Sequence, residues 1–380
     1  MKTIAILFFS SIISFGFAQQ TINGTIEHDA ITRSYILYVP ATYVPGTPAP
    51  LVLNFHGYTS SADQQMFYGD FRPIADTAGF LLVHPMGTLD GGGETHWNSD
   101  WGTGVDDIGF TQALIDSIAV DYSVNLDRVY STGMSNGGFM SYTLACSLSN
   151  RIAAIASVTG AMNLGQSTSC NAQHPTPVME IHGTADAVIL YNGSTWYVST
   201  PNTLGFWTGY NQCDASPIIT NVPDINVIDG CTAVHSVYKN GANGVEVEHY
   251  QIVNGEHTWP GAPLVIGVTN YDISASEKIW EFFAKYDING LIAPMGVDDK
   301  TMNNVTVYPN PSANSINIEW GELDAQQIRI VNTLGVEITL FDVAKLTSTS
   351  VAVHKWIPGT YFIEIYDQQG EKYVSRFVVE

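Results

Sequence analysis

Basic residues are scarce in this chain: 14 Lys and Arg stand against 36 Asp and Glu, a formal net charge of −22. A surface that acidic repels phosphate backbones and anionic lipid, and no stretch forms a basic patch, so no nucleic-acid partner is expected. Long apolar runs are also few. Past the first 18 residues none is long enough to cross a bilayer as a helix, so no membrane insertion is expected. Cysteine is limited to Cys146, Cys170, Cys213 and Cys231. There is no CxxC and no Cys/His cluster at zinc spacing, so these four read as disulfide residues and no metal site is expected. Three pairings are open. Joining sequence neighbours favours Cys146–Cys170 and Cys213–Cys231.

Lys2 precedes an apolar run, Ile4 to Phe17, that ends in Gly16-Phe17-Ala18. A basic start, a short apolar centre and small residues at the end are the pattern of a secretory signal peptide, over residues 1–18. The rest divides by pattern. From 19 to 290, apolar strands such as Leu51–Phe55, Phe80–His84, Ile152–Val158 and Val178–His182 alternate with helical stretches. The helices are expected at Gln64–Ala78, Asp106–Val120, Gly137–Leu148 and Ser274–Lys285. Near-continuous apolar strands separated by helices predict an α/β unit with a mostly parallel sheet covered on both faces. Residues 291–303 read as a linker. From 304 to 380 only short alternating strands occur, the pattern of a small all-β sandwich.

The strand at Arg128–Thr132 runs into Gly133-Met134-Ser135-Asn136-Gly137 and then a helix. GxSxG is weak alone, because a glycine-rich connector holding an ordinary serine looks the same. Between a strand and a helix it describes a sharp turn that lifts Ser135 Oγ above the sheet, which is the nucleophile position of an α/β-hydrolase. A serine needs an imidazole to take its proton and a carboxylate to orient that imidazole. In that fold the acid and then the histidine follow the serine along the chain. Two loops fit. One leaves the apolar strand Val178–His182 at Gly183-Thr184-Ala185-Asp186, and the other leaves Val247–Val253 at Asn254-Gly255-Glu256-His257. Asp186 is the expected acid and His257 the expected base. Glu256 adjoins the base and is expected to point away, while Asp224 and Asp229 lie in a polar connector.

His56-Gly57-Tyr58 follows an early strand, where this fold supplies a second oxyanion donor; the backbone N–H groups of Tyr58 and Asn136 are the expected pair. His56 is expected to shape that loop, and His182 to be a satisfied core residue. Trp97 and Trp101, in a glycine-rich loop, and Trp259, beside the base, are candidate substrate contacts; filling gaps between loop and body is the competing role. Asp106 and Asp107 open a helix, where capping outranks metal binding.

Taken together, His56-Gly57, Val105-Asp106-Asp107-Ile108-Gly109-Phe110, Gly133-Met134-Ser135-Asn136-Gly137-Gly138, His182-Gly183-Thr184-Ala185-Asp186 and His257-Thr258-Trp259-Pro260-Gly261 resemble the polyhydroxybutyrate-depolymerase-like esterases, a group that includes feruloyl and acetylxylan esterases. The resemblance covers residues 25–290. It implies Ser135, Asp186 and His257 as the triad, no cofactor, and esters of plant polysaccharides or polyesters as substrates. Tyr58 departs from the smaller residue common after His-Gly, and Glu256 from the usual glycine. The tail resembles the C-terminal sorting domain of the type IX secretion system through Val307-Tyr308-Pro309-Asn310-Pro311, Gly335, Pro358-Gly359-Thr360-Tyr361 and Arg376-Phe377-Val378-Val379. It implies the type IX machinery as a partner and a secreted or cell-surface enzyme. A carbohydrate-binding sandwich is the other reading of the tail, a non-catalytic binding protein the other reading of the whole, and a monomer is expected.

Overall fold

The computed structural model describes residues 19–380 apart from 100, 101, 103, 293–304, 322, 333–336 and 369–371. The signal segment, Trp101, most of the linker and Gly335 therefore lie outside the described residues. The chain forms two compact units, Met1–Ile292 and Ala293–Glu380.

The first unit is built on ten strands. They are β1 (Gln20–His28), β2 (Ile31–Val39), β3 (Ala49–Phe55), β4 (Leu81–Pro85), β5 (Val124–Met134), β6 (Ala154–Val158), β7 (Val178–Gly183), β8 (Ile218–Asn221), β9 (Thr232–Tyr238) and β10 (Val247–Val253). They lie in the order β1-β2-β4-β3-β5-β6-β7-β10-β9-β8. The sheet is mixed. The centre, from β4 through β3, β5, β6 and β7 to β10, is parallel, and both flanks are antiparallel. Burial explains the division. Every residue of β4, β6 and β7 is buried, so these strands need cover on both faces. β1 alternates exposed and half-buried residues, as an edge strand can.

Side chains alternate between two cores along each central strand. Leu51, Leu53 and Phe55 of β3 pack on one face with α3 (Asp107–Asp121), α4 (Asn136–Ser147) and α6 (Thr200–Tyr210). Val52 joins the other core, with α2 (Arg72–Ala78) and α7 (Ala275–Phe283). On α7, Ile279, Phe282 and Phe283 are fully buried, each contributing about 1.5–3 kcal/mol by area. The expected helix at Gln64–Ala78 is two helices, α1 (Ala62–Tyr68) and α2. The break falls where Gly69 lies against the Trp259 ring, Asp70 accepts the Arg72 N–H at 2.9 Å, and Pro73 opens the next helix. A four-residue turn of helix, α5 (Gln166–Ser169), completes the set.

The second unit is all β: β11 (Thr306–Tyr308), β12 (Ser315–Glu319), β13 (Ala325–Asn332), β14 (Glu337–Asp342), β15 (Ser348–Ala352), β16 (Gly359–Asp367) and β17 (Lys372–Val379). They form antiparallel sheets β11-β12-β15 and β14-β13-β16-β17. Ile316, Ile318, Trp320, Ile328, Ile330 and Phe377 fill the core between them.

Only half of the cysteine expectation holds. Cys146 and Cys170 are joined, but Cys213 and Cys231 are free. Cys213 follows α6 at the far end of β9, where Asp214 N–H bonds Lys239 O at 2.8 Å, while Cys231 precedes the near end. The seven residues of β9 hold them on the order of 20 Å apart at about 3.3 Å per residue, far beyond disulfide reach.

Candidate active site

The turn between β5 and α4 is set by close backbone approach. A Cβ at Gly133 would sit 2.5 Å from Phe55 O, and one at Gly137 would collide with the same carbonyl. Ser135 between them has φ 55° and ψ −118°, a conformation a side chain rarely tolerates. It is held from both sides: Ser135 N–H donates to Val158 O at 2.8 Å, and Ser135 O accepts from Phe139 N–H at 3.0 Å. The strand–turn–helix that the sequence predicts is present, and its strain is concentrated on the serine.

Asp186 and His257 come from loops that touch because β7 and β10 are neighbours. Thr184 N–H donates to Ile252 O and Ala185 N–H to Gly255 O, both at 2.9 Å. A Cβ at Gly183 would strike Gly255 O, so this crossing needs glycine. His257 Nδ1 lies 2.7 Å from Asp186 Oδ2. The other oxygen, Oδ1, accepts the N–H groups of Val188 at 2.8 Å and Ile189 at 2.9 Å. The Asp186 side chain is fully buried, whereas that of His257 is 18% exposed. Glu256 does point away: its carboxylate accepts the Val268 N–H at 3.0 Å. Asp229 is occupied by the Tyr271 and Cys231 N–H groups.

Gly57 abuts the Ser135 turn, with the place of a Cβ 3.5 Å from Ser135 Cβ. His56 fixes this turn rather than titrating. Its Nδ1 must donate to Gly57 O at 2.7 Å, and its Nε2 accepts the Gly87 N–H at 3.0 Å. Burial pushes its pKa down to about 4, so the ring is neutral at physiological pH. Tyr58 is partly exposed and donates its hydroxyl to Asp90 at 2.7 Å.

The tryptophans need correction. Trp97 is fully buried; its indole N–H donates to His56 O at 3.0 Å, and Asn136 hydrogen-bonds its backbone. Trp259 is also buried, donating to Ser276 Oγ at 3.2 Å and packing edge-on against Phe71. Both fill gaps under the loops, so neither is a substrate shelf. Of the paired carboxylates, Asp106 caps α3 through Gly109 N–H, but Asp107 is a buried anchor. It accepts from Arg33 at 2.6 Å and from Asn98 N–H at 2.7 Å.

A cleft of about 630 Å³ lies beside α4, lined by Phe139, Asn163, Leu164, Ile189, Trp196 and Tyr197. Trp196 is 81% exposed, and Tyr197 meets Phe139 edge-on with centroids 5.6 Å apart. Sequence reasoning missed this shelf. Its signal was the aromatic run Tyr191, Trp196, Tyr197 directly after the Asp186 loop.

Comparisons with known proteins bear on the fold. The solved acetyl xylan esterase from Aspergillus awamori superposes with a TM-score of 0.50 at 14% identity, covering 70% of this chain and 99% of its own. The first unit has the α/β-hydrolase fold. Residues 106–197 of this unit match the phospholipase/carboxylesterase family model. Residues 306–380 match the secretion system C-terminal sorting domain, which marks the chain for secretion or the cell surface. The chain is also similar to the bifunctional acetylxylan esterase/xylanase XynS20E of Neocallimastix patriciarum, 26% identical over 73% of this chain and 37% of that protein. Feruloyl esterase B of Piromyces equi is 28% identical over 59% of this chain and 42% of its own. The chain thus spans well under half the length of these two relatives. No helix among the described residues is long and apolar enough to cross a membrane.

Proposed function

We propose that the hydrolase unit is a serine carboxylester hydrolase acting on feruloyl or acetyl esters of plant polysaccharide. The observation that carries this reading is the bond between His257 Nδ1 and Asp186 Oδ2, in a unit whose GxSxG serine sits at a strained strand-to-helix turn. With Nδ1 engaged, Nε2 is the nitrogen left to take the Ser135 proton. Ser135 Oγ attacks the ester carbonyl, and His257 returns the proton to the departing alcohol. Water then attacks the acyl-enzyme with His257 again as base, releasing the acid and restoring Ser135. The N–H groups of Tyr58 and Asn136 hold the oxyanion. No cofactor enters the cycle. The relatives named above are feruloyl and acetylxylan esterases, and the cleft at Trp196 has the size and apolar walls to take an aromatic acyl group. The sorting domain makes the type IX machinery the partner in export, and the enzyme is read as a monomer.

One observation favours a polymeric ester of a different kind. Ile225, Val227, Ile228, Leu264, Val265 and Ile266 are all exposed, on loops cross-braced by Asp272 and Asp229 and running into the His257 loop. An exposed apolar rim of this kind suits a solid polyester. The discriminating experiment measures acid released from methyl ferulate, acetylated xylan, polyhydroxybutyrate and an aromatic polyester, with Ser135→Ala as the blank. Serine-dependent release from the first two supports the main reading. Release confined to the polyesters replaces it with the second, and equal behaviour of the two proteins removes both.

A further inference from the structure

The strand β7 carries two buried ionisable side chains that the reaction above does not use, Glu180 and His182. They stand two residues apart and so share a face of the strand. Tyr142 on α4 donates its hydroxyl to Glu180 Oε2 at 2.7 Å. Glu180 Oε1 lies 2.8 Å from His182 Nδ1. On its other side, His182 Nε2 lies 2.8 Å from Ile189 O and 3.5 Å from Asp186 Oδ2. A backbone carbonyl can only accept, so Nε2 carries a proton, and a second proton is shared between Nδ1 and Glu180.

The destination of the Nε2–H matters more than the pair itself. Ile189 is the residue whose own N–H donates to Asp186 Oδ1 at 2.9 Å. His182 therefore grips the carbonyl of the residue whose amide grips the acid. It also faces the oxygen that His257 uses. A histidine serving only the core has no reason to spend both ring nitrogens on a chain that ends at this carboxylate.

We propose that His182 is a positioning residue for Asp186, held by Glu180 and Tyr142, and that it fixes the rotation of the carboxylate that orients His257. This rests on Asp186 being the acid of the proposed reaction. The surroundings agree. Burial opposes charge on His182, but the bond and charge of Glu180 outweigh it and hold the imidazole pKa above its ordinary value. Burial likewise holds Glu180 above the ordinary carboxylate range, against the bonds from His182 and Tyr142. From β10, His249 donates to Glu180 O at 2.8 Å and is kept neutral, its pKa pushed down by burial to about 4. Tyr191 meets the His182 ring edge-on from the loop, with centroids 5.9 Å apart.

The test uses the full chain with p-nitrophenyl acetate, whose acyl group is too small to fill the Trp196 cleft. His182→Leu is expected to lower kcat by about 30–100-fold with KM held within about threefold, since a small misplacement of a catalytic group costs rate rather than binding. The low-field proton resonance of the His257–Asp186 bond, assigned by its loss in His257→Gln, is expected to broaden or vanish. His182→Gln, which keeps an N–H near Nε2, is expected to recover at least about tenfold of the rate. A His182→Leu enzyme within about threefold of the parent in kcat, or an unchanged low-field resonance, overturns the proposal. So does a loss that glutamine leaves unrepaired. If His182→Leu does not fold, Tyr142→Phe loosens Glu180 alone and is expected to lower kcat by about 3–10-fold; an unchanged kcat and resonance there overturn it. A parent protein with no Ser135-dependent hydrolysis defeats the esterase reading instead, and the resonance still reports whether His182 holds Asp186 against His257.

Discussion

Asn136 and Trp97 are joined by a reciprocal pair of hydrogen bonds. Trp97 N–H donates to Asn136 Oδ1 at 2.7 Å, and Asn136 Nδ2 donates to Trp97 O at 3.1 Å. The residue after Ser135 thus pins the glycine-rich loop through its side chain, while its backbone N–H is the one proposed for the oxyanion. The tryptophan passes the constraint on, because its indole bonds the carbonyl of His56. Both halves of the proposed oxyanion hole are tied through one buried ring.

Asn136→Ala leaves the buried Trp97 N–H without a partner, at about 1–3 kcal/mol, while Trp97 O keeps the Ser99 N–H at 3.0 Å. We expect it to lower unfolding stability by about 1–3 kcal/mol in urea titrations. A loss below about 0.5 kcal/mol would show that the pair carries no load.

Ser135 stores backbone strain, with φ 55° and ψ −118°. Glycine relaxes that conformation at little steric cost, and strain of this kind is worth about 1–3 kcal/mol. Ser135→Gly is expected to be more stable than Ser135→Ala by about 1 kcal/mol while both lose hydrolysis. Equal melting temperatures for the two variants contradict this.

Much of this arrangement was legible in sequence, and the exceptions have physical causes. The loops that carry Ser135, Asp186 and His257 could be located because each follows a strand marked in the sequence. The reading of β10 as Val247–Val253 holds to the residue. β1, β8 and β9 carry no such mark: β1 and β8 are edge strands, β9 lies beside one, and strands of mixed polarity lack the apolar run of a covered strand. For Trp97 and Trp259 the sequence left substrate contact and gap-filling both open, and both rings are buried. Glycine-rich, polar surroundings suggested exposure, but burial depends on partners distant in sequence, here His56, Asn136 and Ser276. His182 was rightly placed in the core, yet what it grips there could not be read from a strand pattern.

Acid should weaken the fold for a definable reason. Burial pushes the pKa of His56 and His249 down to about 4 and that of His84 to about 3. Below about pH 6.5 the unfolded chain protonates these rings while the folded one does not. Their contribution is therefore complete above about pH 6.5 and is lost as pH falls toward 4, on the order of 3 kcal/mol per ring. Urea midpoints should drop between about 6.5 and 4.5, and His249→Asn should make that drop shallower. A midpoint independent of pH across this range contradicts the account.

Thiol counting checks the cysteine assignment. Burial raises Cys213 to about 11 and Cys231 to about 12, so neither is appreciably thiolate at neutral pH. Aromatic disulfide reagents should react slowly with the native protein and find two thiols per chain after denaturation without reductant. Zero thiols would mean that a second bridge forms. Reducing Cys146–Cys170, which closes a loop with a sequence separation of 24, should cost about 3 kcal/mol.

The central claim is that Ser135 is a nucleophile activated by His257. The most direct measurement is labelling of the full chain with a fluorophosphonate, followed by peptide mass spectrometry. The account predicts one adduct per chain, on Ser135, absent from Ser135→Ala and formed at least about 100-fold more slowly by His257→Ala. An unlabelled parent, an adduct on another residue, or labelling indifferent to His257 would contradict it.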